Sequence, residues 1–324
     1  MKMDVPFLQL PLSFDAEVLA NEIAALGKSA WRPHPLGYPG NDALALVSLN
    51  GDPESDAVRG PMRPTPYLLA CPYLMQAMHS IGAVWGHSRL MRLSGRAEVT
   101  PHVDLNYYWR EHMRVHVPIV TQPTVRFYCG NADIHMAAGE CWVFDTWRLH
   151  RVINDADRAR VHLVSDTVGS SRFWQWLRHA RPHDHQPPQW RPQQLAPGVD
   201  SAPPLDFEST NMPEVMTPWE ARDHLLFLAS ESVPGRELEA FVPFIHHFLR
   251  LWHSLWAKFG EAAAGRAEYR KLRDDFDKNL EKFDPIVLRN GVPLLAAVRN
   301  IVVTCLVAER GDGRGIEQRD RPRA

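Results

Sequence analysis

Between Ser88 and Val164 the chain reads as a succession of short runs that suit strands, with turns between them. Ser88 to Ser94 ends near Gly95, and Ala97 to Leu105 follows. Met113 to Val120 alternates polar and apolar residues, the pattern of a half-buried strand. Thr124 to Cys129 is β-branched and aromatic, Ile134 to Met136 is short, and Cys141 to Asp145 is a strong strand. Val152-Ile153 and Val161 to Val164 flank the turn Asn154-Asp155-Ala156-Asp157. So many short strands at close spacing, with turns between them, predict a sandwich or barrel.

Within this block certain polar residues stand where metal chemistry could use them. In an extended segment residues i and i+2 share a face. His102 and Asp104 therefore present an imidazole and a carboxylate side by side, with Pro101 fixing the approach. A lone His-x-Asp pair is weak evidence, and a surface hydrogen-bonded pair is the bland alternative. His150 lies 46 residues beyond Asp104, after several strand signals, and barrels bring such distant strands together. Two imidazoles and a carboxylate can bind Fe(II) on one face and leave open positions on the other. Arg160 follows ten residues after His150, where a buried guanidinium could grip the far carboxylate of a 2-oxo acid. Alternatively it could pair with Asp145 or Asp166. Arg114 and His116 also share a face, opposite Val115, Val117 and Ile119. They need a buried partner, either a bound 2-oxo acid or an internal polar network. His135, His162, His246, His247 and His253 read as structural or surface residues.

The flanks are helical. Asp15 suits a helix cap, Leu19, Ile23 and Leu26 form a stripe, and Gly27 can stop it. Residues 5–12 read as an extended lead-in, 43–49 as a strand and 51–66 as a surface loop. Residues 67–85 are apolar at helical spacing, with Pro72 tolerated only in a first turn or as a break. Residues 181–204 are proline- and glutamine-rich and aperiodic. Thr217-Pro218-Trp219-Glu220 is a capping box with Pro at the first helical position. Residues 236–259 carry a broad apolar stripe in which Pro243 should kink or delay the helix. This gives an organisation of 1–180 as a β domain with N-terminal helices, 181–215 as a linker, 216–310 as a helical domain and 311–324 as a flexible tail.

Composition narrows the classes. A formal net charge of -2 and a pI of about 6.8 argue against a nucleic-acid binder, whose footprint is basic. No stretch approaches the roughly 20 apolar residues needed to span a bilayer. Nor does the N-terminus carry a signal-length apolar run. Four widely spaced cysteines, with no CxxC pair, predict reduced thiols and a cytoplasmic location.

The motifs PHVD, RVHVPI, GECWVFDTWRLH and RARVHLVSD, in that order, resemble the aspartyl/asparaginyl β-hydroxylase family of Fe(II)/2-oxoglutarate-dependent dioxygenases. The likeness is good over about residues 85–170. The helical region after the barrel also looks like that of bacterial cis-4-proline hydroxylases. The resemblance implies a mainly β fold with helices: a double-stranded β-helix, or cupin-like jelly roll, followed by a C-terminal helical region. It implies iron at His102, Asp104 and His150, and 2-oxoglutarate at Arg160 with Arg114 and His116 as helpers. It implies O2 as co-reactant and a small-molecule or peptide substrate bearing an Asp/Asn-like or Pro-like side chain, free or carrier-bound, with succinate and CO2 released. Mammalian aspartyl/asparaginyl hydroxylase lacks the carboxylate corresponding to Asp104, so an EGF-domain substrate is not carried over. Halogenation chemistry is disfavoured by the same carboxylate. Arg89, Arg92, Tyr107 and Trp147 are candidate substrate contacts. A non-catalytic, metal-stabilised cupin-like binding protein, working through its helical region, is the competing expectation. A homodimer through that region's apolar face is left open.

Overall fold

The computed structural model describes residues 1–35, 37–198 and 203–308; the expected flexible tail lies outside them. In chain order the elements are β1 (Phe7–Phe14), α1 (Ala16–Ala25), β2 (Arg32–Pro33), β3 (Asn41–Leu49), β4 (Met62–Pro64), α2 (Pro66–Leu69), α3 (Pro72–Ile81), β5 (Val84–Leu93) and β6 (Glu98–His102). There follow α4 (Tyr107–Glu111), β7 (Met113–Val120), β8 (Val125–Cys129), β9 (Ala132–Ile134), β10 (Glu140–Phe144), β11 (His150–Asn154) and β12 (Arg160–Gly169). The last are α5 (Ser171–Arg178), β13 (Arg181–Pro182), β14 (Gln193–Leu195), β15 (Asp206–Phe207), α6 (Pro218–Glu231), α7 (Arg236–Phe259), α8 (Arg266–Leu280) and α9 (Leu294–Ile301). Among the described residues two compact units result, one of residues 1–103 and 111–210, the other of 104–110 and 211–308.

The first unit holds two sheets. The larger runs β13-β1-β10-β7-β12-β5-β3-β2, with β14, β15 and β4 attached at its edges; the smaller runs β6-β11-β8-β9. From β5 to β12 the chain passes back and forth between them. Strands β5, β7, β10 and β12 lie in the larger sheet, and β6, β8, β9 and β11 in the smaller, with antiparallel pairing throughout these eight. This is the double-stranded β-helix.

Strand alternation sorts the residues into two cores. Leu90, Val115, Val117, Ile119, Val143, Val161 and Leu163 point to the outer face of the larger sheet. There they join Leu19 and Ile23 of α1, Leu74 and Met78 of α3, and Phe173 of α5. The inner face packs Leu93, Trp142 and Phe144 against Val125, Phe127, Cys129 and Val152 of the smaller sheet. Polar residues of the same strands, at the alternate positions, are thereby trapped between the sheets.

The helices follow their local signals. Asp15 accepts from the amides of Glu17 and Val18, capping α1. The apolar run 67–85 is not one helix. Pro72 starts α3 anew, Gly82 ends it in the left-handed region at φ 68°, and Val84 and Trp85 belong to β5. The aperiodic stretch after Ala180 contributes β13 and β14 beside β1 and β15 beside β5; short edge pairings of two or three residues leave no periodicity to read. In the second unit Thr217 and Glu220 form the capping box of α6. Helix α7 continues unbroken through Pro243 and buries Phe241, Ile245, Phe248 and Trp252. Phe248 stacks on Phe276 of α8 with ring centroids 4.0 Å apart, and the Trp252 indole donates to the Met216 carbonyl at 2.8 Å. The aromatic stripe of α7 is thus a packing face. Among the described residues no helix is long and apolar enough to cross a membrane.

Leu163 is fully buried under the helices. Leu163→Ala should lower the unfolding free energy by about 2–5 kcal/mol in urea titration. Val168→Ala, at a position 42% exposed on the same strand, should stay within about 0.5 kcal/mol.

Candidate metal and cosubstrate site

Strands β6 and β11 pair so that His102 and His150 are direct cross-strand partners. Their rings lie 4.2 Å apart between centroids, inclined at 56°. With Asp104, two residues beyond His102, they offer one ligand atom each within 4.8 Å of one another. Among the described residues this is the one group of three such side chains. Nδ1 of His102 lies 2.8 Å from the carbonyl oxygen of Thr100, and Nδ1 of His150 lies 2.8 Å from that of Arg148. A carbonyl can only accept, so Nδ1 carries a proton, and in the neutral ring Nε2 holds the lone pair. Both imidazoles are therefore held in the tautomer that a metal ligand needs, through a backbone bond of the kind that orients such ligands. Two nitrogens and one carboxylate oxygen suit ferrous iron with positions left open.

A second constellation lies deeper between the sheets. Arg160, His162 and Val164 share the inner face of β12, and His116 faces the same space from β7, where it is paired with Trp142 of β10 and Val164. Phe127 forms the common wall. Its ring centroid is 5.1 Å from that of His116 and 6.0 Å from that of His162, which it stacks at 14°, and the Arg160 guanidinium carbon sits 5.4 Å from it. The ring of Phe144 joins this space to the metal ligands, lying 5.3 Å from His116 and 5.0 Å from His150.

The polar groups here lack protein partners. Arg160 is 3% exposed, its Nε makes no hydrogen bond, and no carboxylate pairs with it among the described residues. Both ring nitrogens of His116 and both of His162 are likewise buried without a hydrogen bond. Desolvation pushes the Arg160 guanidinium down to about 9, still above neutrality, so it remains a cation. Burial, and then the charge of Arg160, hold both imidazoles well below their ordinary range and hence neutral. A buried cation with unpartnered polar groups around it can accept an anion as its partner.

Asp145 and Asp166 do not neutralise Arg160. Asp145 accepts from Nε of Arg148 at 2.9 Å, and Asp166 accepts from Nε of Arg114 at 2.9 Å. The internal polar network that the sequence left open for Arg114 is thus present, on the inner face beside His116. Arg89 is buried on that face of β5, opposite Val164. Arg92 is not brought there: its position faces the other way, and its guanidinium bonds Asp42 and lies 4.4 Å from the Trp31 ring. Trp147 is buried, its amide donating to Asp145. The Tyr107 hydroxyl donates to the Glu220 carboxylate within the second unit. His162 was read as structural or surface, yet it stands in the pocket. The i, i+2 rule that joined Arg114 to His116 joins Arg160 to His162 equally well.

Geometry thus defines a class, a double-stranded β-helix with a His-Asp-His cluster and, between its sheets, a buried arginine that no carboxylate of the described residues pairs. Residues 44–169 match the family described as aspartyl/asparaginyl beta-hydroxylase. L-proline cis-3-hydroxylase 1 of a Streptomyces species is 29% identical over 141 residues, covering 40% of this chain and 48% of that protein. The chain thus spans about half the length of this curated relative. Among solved structures, a 2OG-Fe(II) oxygenase family oxidoreductase of Burkholderia pseudomallei is 16% identical with a TM-score of 0.35, covering 52% of this chain and 88% of that one. A Pseudomonas putida prolyl-4-hydroxylase gives 16% identity and a TM-score of 0.35, covering 51% of this chain and 92% of that one.

Two outcomes follow from the unpartnered groups. Arg160→Met replaces an uncompensated buried charge with an apolar side chain of similar length. In anion-free buffer it should leave stability unchanged or raise it by about 1–4 kcal/mol in denaturant titration. For His162, the unfolded chain takes up a proton near pH 6.5 that the folded chain refuses. The depressed imidazole therefore costs nothing above that pH and lowers stability progressively below it. Between pH 7.5 and 5.5, His162→Leu should lose roughly 1 kcal/mol less stability than the unaltered chain, read from urea midpoints at the two pH values.

Proposed function

We propose that this chain is an Fe(II)- and 2-oxoglutarate-dependent dioxygenase that hydroxylates an amino-acid side chain and releases succinate and CO2. One observation carries the reading: a His-Asp-His set is linked through the rings of Phe144 and Phe127 to a buried guanidinium that pairs with no carboxylate among the described residues. Ferrous iron held by His102, Asp104 and His150 would supply O2 activation coupled to oxidative decarboxylation of the 2-oxo acid.

The chain's own residues do the rest. Arg160 binds the distal carboxylate of 2-oxoglutarate, and His116 meets the cosubstrate from the neighbouring strand. Arg114, held by Asp166, stands two residues before His116 on the same face of β7 and is assigned a supporting role beside it. The carbonyls of Thr100 and Arg148 accept from Nδ1 of both histidines and so orient each ring with Nε2 as the nitrogen offered to a metal. Arg89 and Trp147 are assigned to the substrate; Arg92 is committed to Asp42 and Tyr107 to Glu220. Substrates are amino acids, free or within a peptide or carrier-bound, of Pro-like or Asp/Asn-like side chain. Proline comes first for trial, because the Streptomyces relative is a proline hydroxylase. Four free, buried cysteines fit a reducing, cytoplasmic setting.

The full chain, given Fe(II), 2-oxoglutarate, O2 and individual amino acids or short Asp- or Asn-containing peptides, should form succinate in step with a product that has gained one oxygen atom. His150→Ala and Asp104→Ala should each lose at least about 100-fold of that turnover, since even outer-shell partners of a metal are worth 10–100-fold. Full iron-dependent turnover by His150→Ala would overturn the ligand assignment.

A further inference from the structure

Arg160 can satisfy only part of a carboxylate. A carboxylate offers about four lone-pair sites, and a bidentate guanidinium takes two of them. In a pocket closed to bulk water the remaining sites need other donors, or the ligand is left with unsatisfied oxygens. His162 is placed to supply one. It follows Arg160 at the i+2 position of β12, is fully buried, and stacks on the same Phe127 ring that the guanidinium approaches. Its ring stands edge-on to that of His116 at 5.9 Å, and neither of its nitrogens has a protein partner. A histidine needed only for packing could be replaced by an apolar ring without penalty. A neutral imidazole with an idle N–H, sealed beside a cation, is built to donate to an anion.

We propose that His162 is a second anchor for the distal carboxylate, and that the pair Arg160–His162 sets the preference for a dicarboxylic over a monocarboxylic 2-oxo acid. The proposal rests on the oxygenase reading above and adds a specificity determinant to it.

The test uses binding rather than turnover, on the full chain loaded with Zn(II) in place of iron. Calorimetric titration compares 2-oxoglutarate with 2-oxovalerate, which has the same chain length and a methyl group where the distal carboxylate stands. The unaltered protein should strongly prefer 2-oxoglutarate. His162→Phe should cut that preference about tenfold, by weakening 2-oxoglutarate while leaving 2-oxovalerate unchanged, the effect of one lost hydrogen bond to a charged group. His162→Gln, which keeps a donor, should retain most of the preference. If His162→Phe keeps the full preference while Arg160→Met loses it, the role given to His162 is wrong and the oxygenase reading stands. If the unaltered protein binds the two acids equally, both fail. A measurement without substitution decides the matter should the Phe variant not fold. In protein labelled with 15N-histidine, 2-oxoglutarate should shift the ring-nitrogen resonances of His162 and 2-oxovalerate should not; unmoved resonances with bound 2-oxoglutarate would overturn the proposal.

Discussion

A guanidinium sealed between two β-sheets without a carboxylate is a liability that the rest of the fold must offset. Desolvation alone is strong enough to bring Arg160 down to about 9. Nothing in local sequence preference requires it, since an apolar residue would continue β12 equally well. The cost becomes intelligible if the partner arrives from solution. A bound anion contributes the missing charge pair, and folding and binding are then linked, so that ligand stabilises the native state. This is also the argument against a scaffold that merely holds metal. A scaffold gains nothing from an unpaired buried cation flanked by two unpartnered imidazoles.

The offset comes from strand alternation. Each central strand of the larger sheet sends one parity of residues, such as Val115, Val117 and Leu163, into the helix-covered core and the other parity inward. The outer core is continuous with α1, α3 and α5 and anchors the sheet whatever stands on its inner side. That division frees positions 114, 116, 160 and 162 for polar chemistry. The smaller sheet completes the arrangement by pairing His102 with His150 across β6 and β11. A cross-strand pair is the shortest way to bring two residues so far apart in sequence within chelating distance of one ion.

Much of this was legible in the sequence, because periods of two are easy to read. The alternation of 113–120 located β7 and assigned Arg114 and His116 to one face, and His-x-Asp with a distant His picked out three side chains that the fold brings within 4.8 Å of one another. Other parts were hidden for physical reasons. The run 67–85 is apolar throughout, so hydrophobicity could not separate α3 from β5; the left-handed Gly82 does so. Strands β13, β14 and β15 are edge pairings of two or three residues held by backbone bonds, which side-chain pattern does not encode. Arg92 and Arg89 are three apart on one strand and so face opposite ways, a parity that puts Arg89 on the inner face and leaves Arg92 to pair with Asp42 on the other. His162 was hidden differently, by position in a strand that reads as ordinary core, although the parity argument already in use for β7 applied to it.

The acids of the neighbourhood sharpen the point. Sequence alone leaves Asp145 and Asp166 as natural counter-ions for Arg160. Instead each is taken by another arginine, Arg148 and Arg114, at 2.9 Å. Strand geometry gives the reason. Asp166 stands six residues along β12 from Arg160, roughly 20 Å away at the rise of a strand, and directly across from Arg114 on β7. Asp145 is taken three residues on by Arg148. Nearness in sequence to Arg160 therefore does not put a carboxylate beside its guanidinium, and the charge between the sheets is left for a partner from outside the chain's own acids to meet.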